Sequence, residues 1–331
     1  MIIEQFVAKT PRLTAQLAAV LLAITGPVSG AKAQSYPNKP ITIIVGFAPG
    51  GLMDTVSRLF GERLSAKLGQ PVVVENRGGA NGNIAHRRVA SAEPDGYTIL
   101  GATPTLAVNE TIYPHRRGYS ADQFKTVAIV ASSPEMISTH PANAKTLKEF
   151  LDSARSTSAQ FGTAGTGSMS HIAIQYFFEK LADLPTTHIP FQGGAPAVSA
   201  ALGNQIPLVA APPASGAASS VRSGGLRGLA VASEKRLSIL PDVPTFAELG
   251  YPNFTSLVWA GFFVPANTPA EATATLSKAI GEILKEQPIL ARLEQIGFEP
   301  IFLDQESSEK LFRSDISKWK NMIDAIGLKI E

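Results

Sequence analysis

The sequence contains no cysteine. Disulfides, thiol nucleophiles and thiolate metal sites are therefore excluded, and the fold has to be held by packing and hydrogen bonds alone. Charge is also sparse: 17% of the 331 residues are Asp, Glu, Lys or Arg while 44% are hydrophobic. That balance belongs to a packed globular chain long enough for two lobes, not to a disordered one. Long apolar runs are missing except near the start, where Lys9 and Arg12 precede Leu17 to Ile24, followed by Gly26, Pro27 and the triplet Ala31-Lys32-Ala33. The run is about half of the roughly 20 residues needed to cross a bilayer. It predicts an export signal, residues 1–33, cut after Ala33. Without it Lys+Arg falls from 29 to 26 and Asp+Glu from 27 to 26, leaving no net charge. A nucleic-acid partner, which requires a basic face, is excluded on that balance.

What the sequence does have is glycine at the joints between strands and helices. Ile41 to Phe47 is β-branched and apolar without alternation, as in a strand buried on both faces of a parallel sheet. Leu52, Val56, Leu59, Phe60, Leu64 and Leu68 then recur at helical spacing. Ala48-Pro49-Gly50-Gly51 between them leaves bare N–H groups at a helix N-terminus, where the dipole favours an anion. The unit repeats with strand 71–75, loop 76–82, helix 83–93, turn Pro94-Asp95-Gly96 and a strand from Tyr97. A second series starts near Leu147: helix 145–157, strand 160–162, loop 163–168, helix 169–181, strand 187–189, loop 190–194, a helix to Leu202, and strands 206–210 and 226–232. Long amphipathic helices close the chain at 270–285, 289–296 and 307–326. Extended runs at 127–139 and 257–264 bracket the middle series and suit hinge strands. The expected fold is α/β with two lobes, each a mainly parallel sheet flanked by helices, the loops gathered at the strands' C-terminal ends. The domain reading is residues 34–132 plus 257–331 for the first lobe and 133–256 for the second.

The chemistry-bearing residues are few. Asp54 falls in the first turn of its helix and is read as a capping carboxylate more readily than as a catalytic acid. Gly165, Thr166, Gly167, Ser168 and His171 form a glycine and hydroxyl loop at a second helix start. Ser168 with His171 raises a secreted serine hydrolase as an alternative, although no G-x-S-x-G elbow is present. Neither nucleotide fingerprint occurs in the loops, and His86, His115, His140, His171 and His188 lack metal-site spacing. Neither cofactor nor metal is expected. The two loops contain no Lys or Arg, so backbone amides, hydroxyls and bridging waters are left to hold a carboxylate.

In order along the chain, Tyr36-Pro37-Asn38-Lys39-Pro40-Ile41, Pro49-Gly50-Gly51 with Asp54, Gly69-Gln70-Pro71-Val72-Val73-Val74-Glu75-Asn76-Arg77 and Pro94-Asp95-Gly96-Tyr97-Thr98 resemble the Bug family, the substrate-binding proteins of tripartite tricarboxylate transporters. Gly162-Thr163-Ala164-Gly165 to His171, His188-Ile189-Pro190-Phe191, Gly194-Ala195-Pro196-Ala197 and Leu240-Pro241-Asp242-Val243-Pro244-Thr245 extend the resemblance over essentially all of the chain beyond residue 33. It implies a two-lobed periplasmic binding protein of the Venus-flytrap type (type II), a monomer that closes on a small organic carboxylate and presents it to integral membrane transporter subunits. A sensory receptor is the other role that the resemblance leaves open. Carried over, the ligand-binding residues would be Phe47, Ala48, Gly50, Gly51 and Asp54, then Thr103 and Thr105, then Gly165, Thr166, Gly167, Ser168 and His171, with Phe191 and Gly193 or Gly194 opposite. Two departures stand out. Asn81 replaces a usual glycine, and Pro207 and Ala211 stand where aspartates are common. Losing acid near the cleft disfavours an ammonium group, so a plain mono- or dicarboxylate is expected over an amino acid.

Overall fold

Residues 36–301 and 303–330 are described by the computed structural model, and the expected export signal lies outside them. Lys39–Glu331 forms one unit built on two sheets. The first has the order β11-β4-β10-β3-β1-β2 and the second β7-β6-β8-β5-β9. In the first, β1 (Ile41–Val45) lies parallel between β2 (Val72–Asn76) and β3 (Thr98–Ala102). Ile41, Ile43, Ile44 and Val45 are all buried, which is why this strand reads as an unbroken apolar run. In the second, β6 (Ala159–Thr163) lies parallel between β7 (Thr186–Pro190) and β8 (Val209–Ala210).

Both sheets are mixed, because antiparallel strands complete each parallel trio. The first sheet gains β4 (Phe124–Pro134), β10 (Leu257–Pro265) and β11 (Glu299–Pro300), and the second gains β5 (Met136–Thr139) and β9 (Arg227–Val231). The cause is the crossover. The extended run expected at 127–139 divides at Glu135, with β4 on one side in the first sheet and β5 on the other in the second. The chain returns through 232–256 into β10, which must then run back along β4. Glu135 ties the two crossings together: its N–H donates to Ser256 O and its C=O accepts from Ala232 N–H, both at 2.8 Å.

Helices α1 (Leu52–Leu68), α2 (Asn83–Ala90) and α3 (Thr105–Ile112) follow β1, β2 and β3; α4 (Leu147–Ala154) precedes β6 and α5 (Met169–Tyr176) follows it; α6 (Gly194–Leu202) and α7 (Ala217–Arg222) come later in the second lobe. Then α8 (Ala270–Ile283), α9 (Gln287–Gln295) and α10 (Gln305–Ile326) complete the chain. Helix α10 packs on α3 and β4 and also on α5. One buried cluster accordingly runs from Phe161, Phe177 and Phe178 to Trp259, Phe312 and Trp319, and Trp259 Nε1–H donates to the Asp315 carboxylate at 2.6 Å. Among the described residues no helix is long and apolar enough to cross a membrane.

Candidate functional site

Three neighbouring parallel strands end at one edge of the first sheet, so the loops after β1, β2 and β3 meet there. The contact is backbone on backbone: a Cβ on Gly46 would lie 2.8 Å from Gly82 Cα. Phe47 and Gly51 are half-buried, while Ala48, Pro49 and Gly50 are exposed. Gly50 has φ +78, a conformation that a side chain disfavours.

Asp54 holds this loop from inside. It is 2% exposed and accepts from Gly50 N–H at 2.8 Å, Asn76 Nδ2 at 2.9 Å and Arg58 Nε at 3.0 Å. Burial pushes its carboxyl up, but Arg58, the Gly50 N–H and Asn76 together outweigh that and hold it below its ordinary range. Asn76 donates a second bond, to Phe47 O at 3.0 Å. The N–H groups of Leu52 and Met53, in the first turn of α1, have no partner among the described residues. Thr103 and Thr105 sit at the end of β3, both buried, their hydroxyls 3.0 Å apart.

Asn81 resolves one of the two departures. Its φ is +53, the left-handed region that glycine or asparagine accepts. Its side-chain amide donates to Asn109 Oδ1 at 2.8 Å. Asn109 in turn donates to Asn83, which also accepts from Tyr119, whose hydroxyl meets His86 Nδ1. A buried polar network thus fixes the loop where a glycine would have left it bare.

At the corresponding edge of the second sheet, β6 and β7 end in loops 164–168 and 191–193. Gly165, Gly167 and Gly193 have φ +132, +76 and +125. A Cβ on Gly165 would come within 3.2 Å of Phe191 O, and the Phe191 ring packs on Gly162. Ser168 caps α5 by accepting from His171 N–H at 3.2 Å, and its hydroxyl points to Thr163 Oγ1 at 3.4 Å. The His171 ring is used elsewhere: its Nδ1 accepts from Gly167 N–H at 3.1 Å. Ser168 and His171 are thus a helix cap and a buried loop support, not a hydrogen-bonded nucleophile and base. Thr166 is exposed, and the Thr166 and Met169 N–H groups have no partner among the described residues.

Loop 164–168 lies against the C-terminal end of α3 and the C-terminal tail. A Cβ on Gly167 would meet Ile112 at the end of α3 at 2.8 Å and Ile330 of the C-terminal tail at 2.7 Å. The second departure divides. Because β6 and β8 are parallel, Ala211 lies at the same edge as loop 164–168 and Pro207 at the opposite one. Pro207 O accepts from Thr139 Oγ1, and Ala211 is a buried apolar residue whose N–H donates to Met136 O beside the crossover. Sequence reasoning passed over Asn76, Arg58, Thr163 and His188 as loop supports. The signal for Asn76 was its place at the end of a strand parallel to β1.

Residues 56–328 match the model of the tripartite tricarboxylate transporter family receptor. The protein BugT of Bordetella pertussis is 31% identical over 321 residues, 94% of this chain and 97% of its own length. Among solved structures, MatC from Rhodopseudomonas palustris with bound malate superposes with a TM-score of 0.78 at 30% identity, covering 87% of this chain and all of that one. A second R. palustris protein, determined with adipate, gives 0.82 at 27% identity, covering 89% and 99%.

Proposed function

The chain belongs to the tripartite tricarboxylate transporter receptor family, and from that premise we propose that it captures a small plain carboxylate in the periplasm and delivers it to the membrane subunits of such a transporter. The observation that carries this reading is the pair of loop sets. Each opens a helix and carries N–H groups without a partner among the described residues, Leu52 and Met53 in the first turn of α1, Thr166 in the loop before α5 and Met169 in its first turn, and Asp54, the acid beside the first loop, is turned inward and satisfied. An anion between them gains from both helix termini and meets no outward carboxylate. The first lobe in this proposal is 34–132 with 257–331 and the second 133–256. The ligand-contacting set is Phe47, Ala48, Gly50 and Gly51, Thr103 and Thr105, and Gly165 to Ser168 with Phe191 and Gly193, while Asp54 and His171 act by shaping their loops.

Capture then consists of the lobes closing about the crossover at Glu135, which excludes water and strengthens each hydrogen bond to the ligand. The bound malate and adipate of the two relatives support a dicarboxylate. The apolar Ala211 at the ligand edge supports an acid without an ammonium group. A thermal-shift and calorimetric panel of malate, adipate, citrate, acetate and glutamate tests this. Ligand at about 100 times its Kd stabilises by about 2.7 kcal/mol, an upward shift in Tm of several degrees for malate or adipate. A flat panel would sink the carboxylate reading, and glutamate as the best binder would sink the preference for a plain acid.

A further inference from the structure

Loop 163–168 does not keep its shape through backbone bonds alone. Two histidines from different elements, His171 of α5 and His188 of β7, stack with ring centroids 3.7 Å apart and planes 16° from parallel, both against Phe161. Each ring reaches a different part of the loop. His171 Nδ1 accepts from Gly167 N–H at 3.1 Å. His188 Nε2 lies 2.7 Å from Thr163 Oγ1, the oxygen that also accepts from Gly165 N–H at 3.2 Å. With both glycines tied down, Thr166 between them is left exposed.

Two imidazolium rings at this separation would repel, and a protonated Nδ1 on His171 has no lone pair for Gly167. The surroundings favour neutral rings. Burial lowers His171 to about 4, opposed by the hydrogen bond its ring donates to Gln175 and by the Glu179 carboxylate. Burial and the neighbouring His171 lower His188 to about 3. Glu179 acts on His171 and His171 acts on His188, while from β6 Phe161 and Thr163 face the pair.

We propose that His171 and His188 are positioning residues, a stacked neutral pair that sets the second-lobe loop by fixing Gly167 and, through Thr163, Gly165, so that ligand capture requires both rings uncharged. The ligand part rests on the carboxylate reading, and the loop part does not. The test uses ¹⁵N-labelled protein with His188→Leu, His188→Gln and His171→Leu. Amide exchange at Gly165 and Gly167 is followed from pH 7 to 4, and Kd is measured for the tightest-binding acid of the panel above. In His188→Leu, exchange at Gly165 is expected to quicken at least tenfold and Kd to rise at least tenfold, with Tm within a few degrees of wild type. Gln, whose amide nitrogen falls near the place of Nε2, restores both. In His171→Leu the exchange gain moves to Gly167. The ligand's own titration is common to wild type and His188→Gln, so a steeper loss of affinity on acidification in wild type reports the imidazole. Unchanged glycine exchange in the Leu variants overturns the proposal, as do equal effects of Leu and Gln. A failed carboxylate panel leaves the exchange result to decide it.

Discussion

Asp54 illustrates how a charged side chain shapes a loop of the proposed site from inside. Its oxygens are occupied by Gly50 N–H, Arg58 and Asn76, so what it controls is the path of residues 47–51. Substitution by Ala leaves the Gly50 N–H and the Asn76 amide without their acceptor in a part-buried site, at a cost of about 1–3 kcal/mol. A urea titration of Asp54→Ala should show the midpoint falling at constant slope, with weaker binding of whichever acid the panel selects. A midpoint unchanged from wild type would refute the loop-holding role. The capping role was legible in sequence because Asp54 lies in the first turn of a helix that follows a glycine pair. Asn76 and His188 were not, because their partners stand 22 and 25 residues away and become neighbours only when parallel strands align.

At the scale of an element, the crossover is the most unusual part of the molecule. Glu135 is fully buried between β4 and β5, and neither carboxyl oxygen is in hydrogen-bonding geometry with a partner among the described residues. Burial pushes its carboxyl up to about 8, opposed only by the Ser170 hydroxyl. The folded chain therefore holds a proton that the unfolded chain releases near its ordinary value of 4.5. Stability from this group is full below that value, declines as pH rises, and levels off once the folded state also ionises near pH 8. Glu135→Gln removes the proton and keeps the shape. Chemical denaturation of the variant should give a flatter stability profile between pH 5 and 8 and, at pH 8, a gain on the order of a few kcal/mol. Parallel profiles for variant and wild type would show that Glu135 is not the titrating group. The run 127–139 was readable as extended, but not its division, since Ser132-Ser133-Pro134-Glu135 breaks the apolar pattern without a turn glycine and nearly every residue on both sides is buried, so only the change of sheet separates the halves. Helix α3 was missed for a related reason. Thr105-Leu106-Ala107-Val108-Asn109-Glu110-Thr111-Ile112 is rich in β-branched residues and nearly all of it is buried, so neither propensity nor a polar stripe marks it.

For the whole molecule the question is whether two lobes mean two folding units. The sheets are separate, and the second has an apolar cluster of its own in which Met136, Val209, Val231 and Leu237 take part. Its other face does not stand alone: Phe161, Phe177 and Phe178 belong to the same buried cluster as Phe312 and Trp319, because α10 lies across α5 as well as β4. That sharing was hidden in the sequence, where α10 is an amphipathic helix like any other and nothing says how many partners its apolar face has. Independent unfolding of the second lobe would strip several large aromatic side chains of their packing, at about 1.5–3 kcal/mol for each fully exposed. The sum exceeds what a separate transition could recover, so the two lobes should unfold as one unit. Both tryptophans, Trp259 and Trp319, report from the first-lobe side of the shared cluster, whereas far-UV circular dichroism reports the helices of both lobes. Urea curves from the two probes should coincide, and the calorimetric and van't Hoff enthalpies should agree. Two resolved transitions would mean that the aromatic contact across α10 is too weak to couple the lobes. If the curves coincide, the proposed closure on a ligand must be a rotation about the Glu135 crossover that preserves the packing of α10 on α5, because a wider opening would expose the same aromatic surface that makes unfolding cooperative.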